Sequence, residues 1–456
     1  MKDLVIDKIT KRLLNVDNFN IRRDKGLVIY TFLAIFQPPF LPVAFIYILG
    51  LFTILWILIH KNIPSKWRIM HMSRMYNMIS FFGCLVIYVL FTGLIDWMLI
   101  ESKNITSTRI STFNQITLLT GLEFLFIWTI LIKSEAKKYS LRDIIAVLVL
   151  AGLIQGACAI MAFLIPTIRS YFLMFGDQEL FSKEYFLLLR GYGFSINLLD
   201  TFGYGMGLIG SYLIFSKCIK NKIFYFVALC IILFTILVNA RTGIVILGLG
   251  ILINIILTSS LRKSFQRIIL LSIILSLTIS QINQVLDSLS KSQNNTVAWV
   301  ASGMSQMTNL LGASGNADQM GIDEVSFIDN FIEPPKILFQ YLFGTGHHVY
   351  DTKKSLGFRT DIGYLNMIWE FGIIGTSIVL IAMVSFLFYP FFKTKDLIIR
   401  KIALLNTISY GIVLMKAILI GFNPGVFVNY LTTFAVYYII SKQHSKKESF
   451  KTLQYV

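Results

Sequence analysis

The chain alternates between long apolar runs and short polar connections, and this pattern predicts an all-α polytopic membrane protein. A run of about 20 apolar residues is long enough to cross a bilayer as a helix, and about twelve runs approach or exceed that length. Pro38-Pro39 separates the first two, because proline does not continue a helix. We therefore treat 1–456 as a single integral membrane domain. The predicted spans are 22–37, 41–59, 76–98, 112–132, 142–165, 193–216, 223–240, 243–259, 267–285, 361–390, 402–420 and 425–441.

Clusters of lysine and arginine between the spans predict the orientation of the chain. Basic loops are typical of the cytoplasmic face of a membrane protein. Each cluster follows an even number of predicted spans, so both termini and every second connection are predicted to be cytoplasmic. The clusters lie at 22–25, 61–68, 133–138, 217–222, 262–267, 393–401 and 442–447.

Two of the predicted outer connections are long. The first covers 166–192, and the second, between the ninth and tenth spans, covers 286–360. The larger loop mixes acidic residues with glycine, serine and asparagine, and it contains the apolar stretch 337–343. That stretch is too short to span a bilayer, and we expect an interfacial helix there.

Composition and charge narrow the class of protein further. The chain is 55% hydrophobic and only 14% charged, whereas soluble domains carry roughly a quarter charged residues. The net charge of +17 comes from the basic clusters between the spans, where it indicates the orientation of the chain in the membrane. It is therefore no evidence for binding of DNA or RNA, and we predict no nucleic-acid partner. The four cysteines have no metal-ligand spacing, and we expect free structural thiols.

Three arginines near the predicted outer ends of spans are candidates for binding phosphate. Arg241 lies in an Asn-Ala-Arg-Thr-Gly turn where two spans meet without a loop, Arg190 precedes Gly191-Tyr-Gly193, and Arg359 precedes the tenth span. A planar guanidinium binds phosphate oxygens bidentately and stays charged. A structural ion pair, contact with lipid headgroups or simple solvation are the alternatives. The two glycines after Arg190 suggest a close approach of backbone, such as that of a ligand.

His347, His348 and Asp361 are the candidates for proton transfer. The two histidines follow Gly344-Thr-Gly346, and an imidazole can accept a proton from a sugar hydroxyl near neutral pH. A hydrogen-bonded loop histidine is the alternative. Asp361 begins a predicted helix, where a carboxylate either caps backbone N–H groups or acts as the base. Adjacent histidines without further ligands argue against a metal site.

Other ionisable residues at membrane depth are expected to be structural. A buried Glu370 would pair with a residue such as Lys416 or stay protonated, and we prefer a structural pair. Glu123 is a similar inward-facing residue. The chain has no P-loop, no G-x-S-x-G and no H-E-x-x-H motif. A nucleotide-driven reaction is therefore not expected, and the substrate should arrive already activated at the outer face.

These features together resemble a known family. The Arg-Thr-Gly turn at Arg241, the large outer loop, Gly344-x-Gly346 and the run from Asp361-Ile-Gly-Tyr-Leu to Glu370-Phe-Gly-Ile-Ile-Gly look like the Wzy-type polymerases of O-antigen and capsule repeat units. These enzymes share a wide superfamily with the O-antigen ligases. The resemblance covers the whole chain as topology, and as motif about 190–250 and 340–376.

The resemblance implies a GT-C-like glycosyltransferase of the bacterial cytoplasmic (inner) membrane whose active face is periplasmic or extracellular. Its substrates would be oligosaccharides linked to undecaprenyl pyrophosphate, and it would need no metal, nucleotide or other cofactor. By position, Arg190 and Arg359 correspond to arginines of two outer loops that the family requires, and Arg241 matches the arginine of the family's R-x-G turn. A chain-length regulator and the flippase of the same pathway are the implied protein partners.

Two other functions remain open at this point. An O-antigen ligase would transfer finished polymer to lipid A-core and would place a histidine in the last long outer loop, as His347 or His348 would be. A polysaccharide transporter or flippase without catalysis would also have about twelve spans, but it would usually show repeated halves and discontinuous helices. The sequence shows no repeat.

Overall fold

The computed structural model describes most of the predicted membrane-spanning segments. The described residues are 13–38, 44–59, 63–100, 114–165, 167, 168, 170, 193, 195, 200–239, 242–258, 266, 337–345, 363–415 and 423–453. Within them the chain is helical, apart from turns and one isolated antiparallel bridge between Leu14 and Ile219. The helices are α1 (Ile21–Phe36), α2 (Ala44–Ile59), α3 (Ile63–Met72), α4 (Met75–Ile100), α5 (Thr120–Ala136, preceded by a π-helical turn), α6 (Leu141–Leu164), α7 (Asp200–Ser216), α8 (Lys222–Asn239), α9 (Thr242–Thr258), α10 (Leu338–Phe343), α11 (Gly363–Lys393), α12 (Leu397–Leu414) and α13 (Pro424–Leu453).

Most of the described helices follow the predicted spans, whereas α3 and the part of α13 after residue 441 lie outside them. Six of them, namely α4, α5, α6, α8, α11 and α12, are long and apolar enough to cross a membrane, and α2 and α9 contain shorter apolar segments. Helices α1, α7 and α13 also lie where spans are predicted, and α10 lies in the predicted interfacial segment. The predicted span at 267–285 falls outside the described residues. The full count of spans and their orientation stay predictions.

One helix begins earlier than its apolar run. The sequence predicts a span from 402 because Arg400 and Lys401 interrupt the hydrophobic pattern, but α12 begins at Leu397. Asp396 caps this helix, since its carboxylate accepts a hydrogen bond of 2.8 Å from the backbone N–H of Ile398. A side-chain cap thus sets the start of the helix, and hydropathy alone does not reveal it.

Helix α7 lies at the centre of the bundle, where it packs against α6, α8, α9, α12 and α13. Its contact with α9 is close because both faces carry small residues. A Cβ atom on Gly207 would lie 2.7 Å from the carbonyl oxygen of Gly243, and Gly250 of α9 lies against Ser211. Small residues let membrane helices approach to backbone contact. The position of α9 against α7 is therefore tightly defined.

Helix α11 is broken, which corrects the prediction of one continuous helix after Asp361. Gly372 has φ 69° and ψ 177°, a conformation essentially confined to glycine. The short helix α10 packs against this break, and Gly344, also at positive φ, lies against the backbone of Glu370 to Gly372. The segment after Asp361, which the sequence predicts to be one helix, thus contains a junction between α10 and α11.

Ion pairs join several of the basic clusters at one end of the bundle. Glu135, at the end of α5, lies 3.5 Å from Arg68 of α3 and 3.0 Å from Lys442 of α13. Lys137 lies 3.2 Å from Asp24 at the start of α1. Segments that the charge pattern assigns to the same face thus meet in space. That this face is cytoplasmic stays a prediction.

The four cysteines are free thiols, as the sequence predicts. Cys218 lies in the connection between α7 and α8, and burial raises the pKa of its thiol to about 11. A thiol with so high a pKa carries little of the reactive thiolate at neutral pH. The structure therefore supports a structural role for Cys218.

Candidate active-site region

The residues predicted to carry chemistry lie outside the described part of the chain, so their roles stay predictions. The structure nevertheless describes the residues that flank several of them, and these flanks define how the site is held. The residues concerned are Arg190, Arg241, His347, His348, Arg359 and Asp361, as well as Lys416, the predicted partner of Glu370.

The described flank of His347 is fixed to helix α11. The backbone N–H of Thr345 donates a hydrogen bond of 2.8 Å to the carbonyl oxygen of Trp369, and its hydroxyl donates a second one of 2.9 Å to the same oxygen. Helix α11 begins at Gly363, two residues after Asp361. The flanks of the predicted histidine and carboxylate therefore belong to one helix junction.

Tyr88 of α4 closes this junction from a third side. Its hydroxyl lies 2.8 Å from the carbonyl oxygen of Phe371 and 3.1 Å from that of Phe343, so its one proton is shared between these two acceptors. Carbonyls freed by a helix break inside a membrane need such partners. Helices α4, α10 and α11 thus form a single support in the predicted outer half of the bundle.

The flanks of Arg241 are packed just as firmly. Helix α8 ends at Asn239 and α9 begins at Thr242, which leaves two residues for the connection and confirms the predicted absence of a loop. Both flanking side chains are buried. A Cβ atom on Gly243 would lie 2.6 Å from the carbonyl oxygen of Gly203, so the first turn of α9 is held directly against α7. A phosphate-binding side chain at this connection would start from rigid backbone on either side.

The flank of Arg190 adjoins helix α6. Gly193 has a positive φ of 56°, and a Cβ atom there would lie 2.9 Å from the backbone nitrogen of Ala159 in α6. The close approach that the sequence suggests at Gly193 is therefore made by α6 itself and not by a ligand. Gly156, one turn earlier in α6, packs against Thr235 of α8. The described flank of Arg190 thus contacts α6, and α6 in turn contacts α8, the helix that ends two residues before Arg241.

A buried polar cluster between α7, α12 and α13 was not apparent from the sequence. The hydroxyl of Tyr212 donates a hydrogen bond of 2.6 Å to Oδ1 of Asn406, and Nδ2 of Asn429 donates one of 2.5 Å to the hydroxyl of Tyr204. Each of these side chains is almost fully buried. Polar side chains that bond across membrane helices hold them together. The partners come from distant parts of the chain, which is why the pattern of single residues does not reveal them.

Glu123 and Glu370 are the acidic side chains buried in the described helices α5 and α11. Among the described residues, neither carboxylate oxygen of Glu123 has a hydrogen-bond partner. Buried ionisable residues in a membrane are candidates for function. Within the same residues no group of three or more histidine, cysteine, aspartate or glutamate side chains surrounds a possible metal position. The prediction that no metal is needed stays untested.

Comparison with known proteins gives no further guide to the chemistry. No family model, no curated protein and no solved structure matches this chain.

Proposed function

We propose that this protein polymerises oligosaccharide repeat units linked to undecaprenyl pyrophosphate, at the outer face of the bacterial cytoplasmic membrane. A hydroxyl of the terminal sugar on a new lipid-linked unit attacks the anomeric carbon of the nascent chain. The bond between that carbon and the pyrophosphate oxygen breaks, undecaprenyl pyrophosphate leaves, and the hydroxyl proton passes to a base. Three arginines and a histidine or aspartate supply the groups for this reaction.

The observation that carries the proposal is the two-residue connection between α8 and α9 around Arg241. Charge develops on the leaving pyrophosphate in the transition state, and a fixed cation stabilises it without first having to reorganise. The glycine contacts of α9 with α7, and the buried flanks Asn239 and Thr242, support the proposal that Arg241 is such a cation. Arg190 and Arg359 would complete the pyrophosphate site from the two long outer loops.

The junction of α10 with α11 supports the assignment of the base. It fixes Thr345, which precedes His347 and His348, against the same helix that begins beside Asp361. A base must lie within hydrogen-bond reach of the acceptor hydroxyl, and rigid flanks favour this. Either histidine or Asp361 would then accept the proton.

The break at Gly372 also favours a second candidate, a transporter. Discontinuous helices in transporters expose unwound backbone to a substrate or ion. Here Tyr88 and Thr345 hydrogen-bond to the carbonyls of Phe371 and Trp369. The neighbourhood of the break is therefore occupied by the protein's own groups, and we rank catalysis above transport.

Deletion of the gene separates these functions. Loss of a polymerase leaves a single repeat unit on the lipid core, or short oligosaccharides in a capsule system. Loss of an O-antigen ligase leaves no repeat unit on the core, and loss of a flippase stops the repeat units from reaching the outer face. We expect the first phenotype, and either of the others would contradict the proposal.

Arg241→Ala is expected to abolish polymer while the protein remains in the membrane. Removal of a group that stabilises developing charge lowers a rate by roughly a hundredfold to a thousandfold. Polymer length on a gel and immunoblotting of the membrane fraction measure the two effects. Arg169→Ala is the matched control, because Arg169 lies in the outer loop 166–192 but has no assigned role. Normal chain lengths in Arg241→Ala would remove Arg241 from the mechanism.

Alanine variants of His347 and His348, made singly and together, identify the base. If one histidine accepts the proton, its variant loses about a hundredfold or more in rate, whereas the other single variant keeps most activity. In the impaired variant, the residual polymerisation rate should no longer fall towards acidic pH, because protonation of the imidazole no longer limits the reaction. Full activity of the double variant would assign the proton to Asp361 or to the substrate.

A further inference from the structure

A groove at the basic end of the bundle has no place in the proposed reaction. It lies between α1, α2 and α5 and has a volume of about 530 Å³, within the range of roughly 300–1,000 Å³ typical of ligand sites. Tyr30, Leu49, Phe52 and Trp56 form its apolar walls, and basic side chains lie at one end. The groove therefore offers both a hydrocarbon surface and a charged mouth.

The mouth of the groove carries more positive than negative charge. Arg23, Lys133 and Lys137 line it together with one carboxylate, that of Asp24. Asp24 lies 3.2 Å from both Arg23 and Lys137 and is almost completely buried. Lys133 places its ammonium group 4.2 Å from the centre of the Trp56 ring. Lys133 and Lys137 are one helical turn apart, so their charges repel each other, and an anion between them would relieve that repulsion.

We propose that this groove binds one anionic phospholipid from the adjacent membrane leaflet. The phosphate lies among Lys133, Lys137 and Arg23, whose N–H groups donate to its oxygens. One acyl chain follows the apolar wall towards Leu49 and Phe52. Phe52 is 65% exposed and continues the groove onto the lipid-facing surface of α2. Trp56 lies between the two zones, as tryptophan commonly does at the membrane interface.

Gly26 provides a way to fill the groove without changing its charge. It lines the groove from α1, and a Cβ atom there would have no neighbour within 4 Å. A leucine at this position would occupy space in the groove, and leucine favours the helix more than glycine does. Gly26→Leu is therefore expected to fold and to exclude lipid.

Native mass spectrometry of the purified full-length protein tests the proposal. Detergent-solubilised protein is incubated at low salt with dioleoyl phosphatidylglycerol or with dioleoyl phosphatidylcholine, and the bound lipid is counted. We expect phosphatidylglycerol to bind in preference to phosphatidylcholine. Each of the two surplus positive charges should contribute a factor of about five to this preference. Lys133→Gln should reduce the preference by about fivefold without breaking the Asp24 ion pairs. Gly26→Leu should reduce the binding of both lipids.

Lys25→Gln is the matched control, since Lys25 adjoins Gly26 in sequence, is exposed and is not part of the groove lining. It should keep the full lipid preference. An equal effect of Lys25→Gln and Lys133→Gln would show a diffuse effect of charge and overturn the proposal. Equal binding of the two phospholipids by the unaltered protein would overturn it as well. Full competition by glycerol phosphate at the same concentration would show that no acyl chain is bound and would also contradict it.

Discussion

Gly372→Ala is expected to undo the junction of α10 with α11 and to lower the stability of the protein by about 3 kcal/mol or more. Gly372 has φ 69° and ψ 177°, a combination that costs an alanine about 1–3 kcal/mol by itself. A Cβ atom would also overlap the backbone of Leu342 and Phe343, neither of which can rotate away as a side chain would. Both effects act in the same direction, so α10 should separate from α11.

The thermal midpoint in detergent and hydrogen exchange of the segment 338–345 measure this effect. The N–H of Thr345 donates to Trp369, so it should exchange faster once the junction opens. Gly411→Ala is the matched control. Gly411 lies within α12 and has no neighbour within 4 Å of a built Cβ atom, so alanine there should stabilise the helix by about 0.5–1 kcal/mol. Unchanged stability and exchange in Gly372→Ala would contradict the account of the junction.

Asp143→Ala is expected to release the N-terminal segment from the bundle and to cost about 3 kcal/mol or more. The fully buried carboxylate accepts hydrogen bonds from the backbone of Asp17, Asn18 and Phe19. It also accepts from the backbone N–H and the hydroxyl of Ser140, where it completes a capping box at the start of α6. Removal of the acceptor leaves several donors without a partner in a buried place.

The consequence extends beyond α6, because the same N-terminal segment holds the connection between α7 and α8. The N–H of Asn15 donates to the carbonyl of Cys218, and the N–H of Lys220 donates to that of Leu13, each at 2.7 Å. Faster exchange of amides in 13–20 and in 217–221, together with a lower thermal midpoint, would show the release.

Asp396→Ala is the control for Asp143→Ala. Asp396 caps α12 at an exposed position, and its carboxylate accepts hydrogen bonds from the first turn of its own helix, so its loss should cost about 1 kcal/mol. Equal effects of the two substitutions would contradict the view that Asp143 joins separate parts of the chain. Asp143→Asn should fall between them, since it keeps one acceptor oxygen without the charge.

The helices of the bundle were largely predictable because a bilayer imposes a simple requirement on the sequence. A segment without water must satisfy its own backbone, so a long apolar run becomes a helix. Spans such as 76–98 and 142–165 therefore match α4 and α6 closely. The start of α12 was harder to predict from hydropathy. Asp396 determines it by capping the helix, and two basic residues interrupt the apolar run just after it.

The junctions between helices were not predictable in the same way. Glycine is common in membrane helices, so Gly372 gave no sign of a break until α10 was seen against it. Asn406 and Asn429 hydrogen-bond to Tyr212 and Tyr204 of α7, about two hundred residues earlier. For the candidate site, the sequence predicted the short connection at Arg241, and the structure shows how the flank after it, at Gly243, packs against α7.

The central claim is that this protein forms glycosidic bonds, and purified protein in liposomes tests it most directly. The substrate is a synthetic repeat unit on undecaprenyl pyrophosphate, without nucleotide or added metal. We predict a ladder of products that differ by one repeat unit, release of undecaprenyl pyrophosphate with each addition, and neither product in Arg241→Ala. Movement of the lipid-linked unit across the bilayer without any longer product would contradict the account and would identify a transporter.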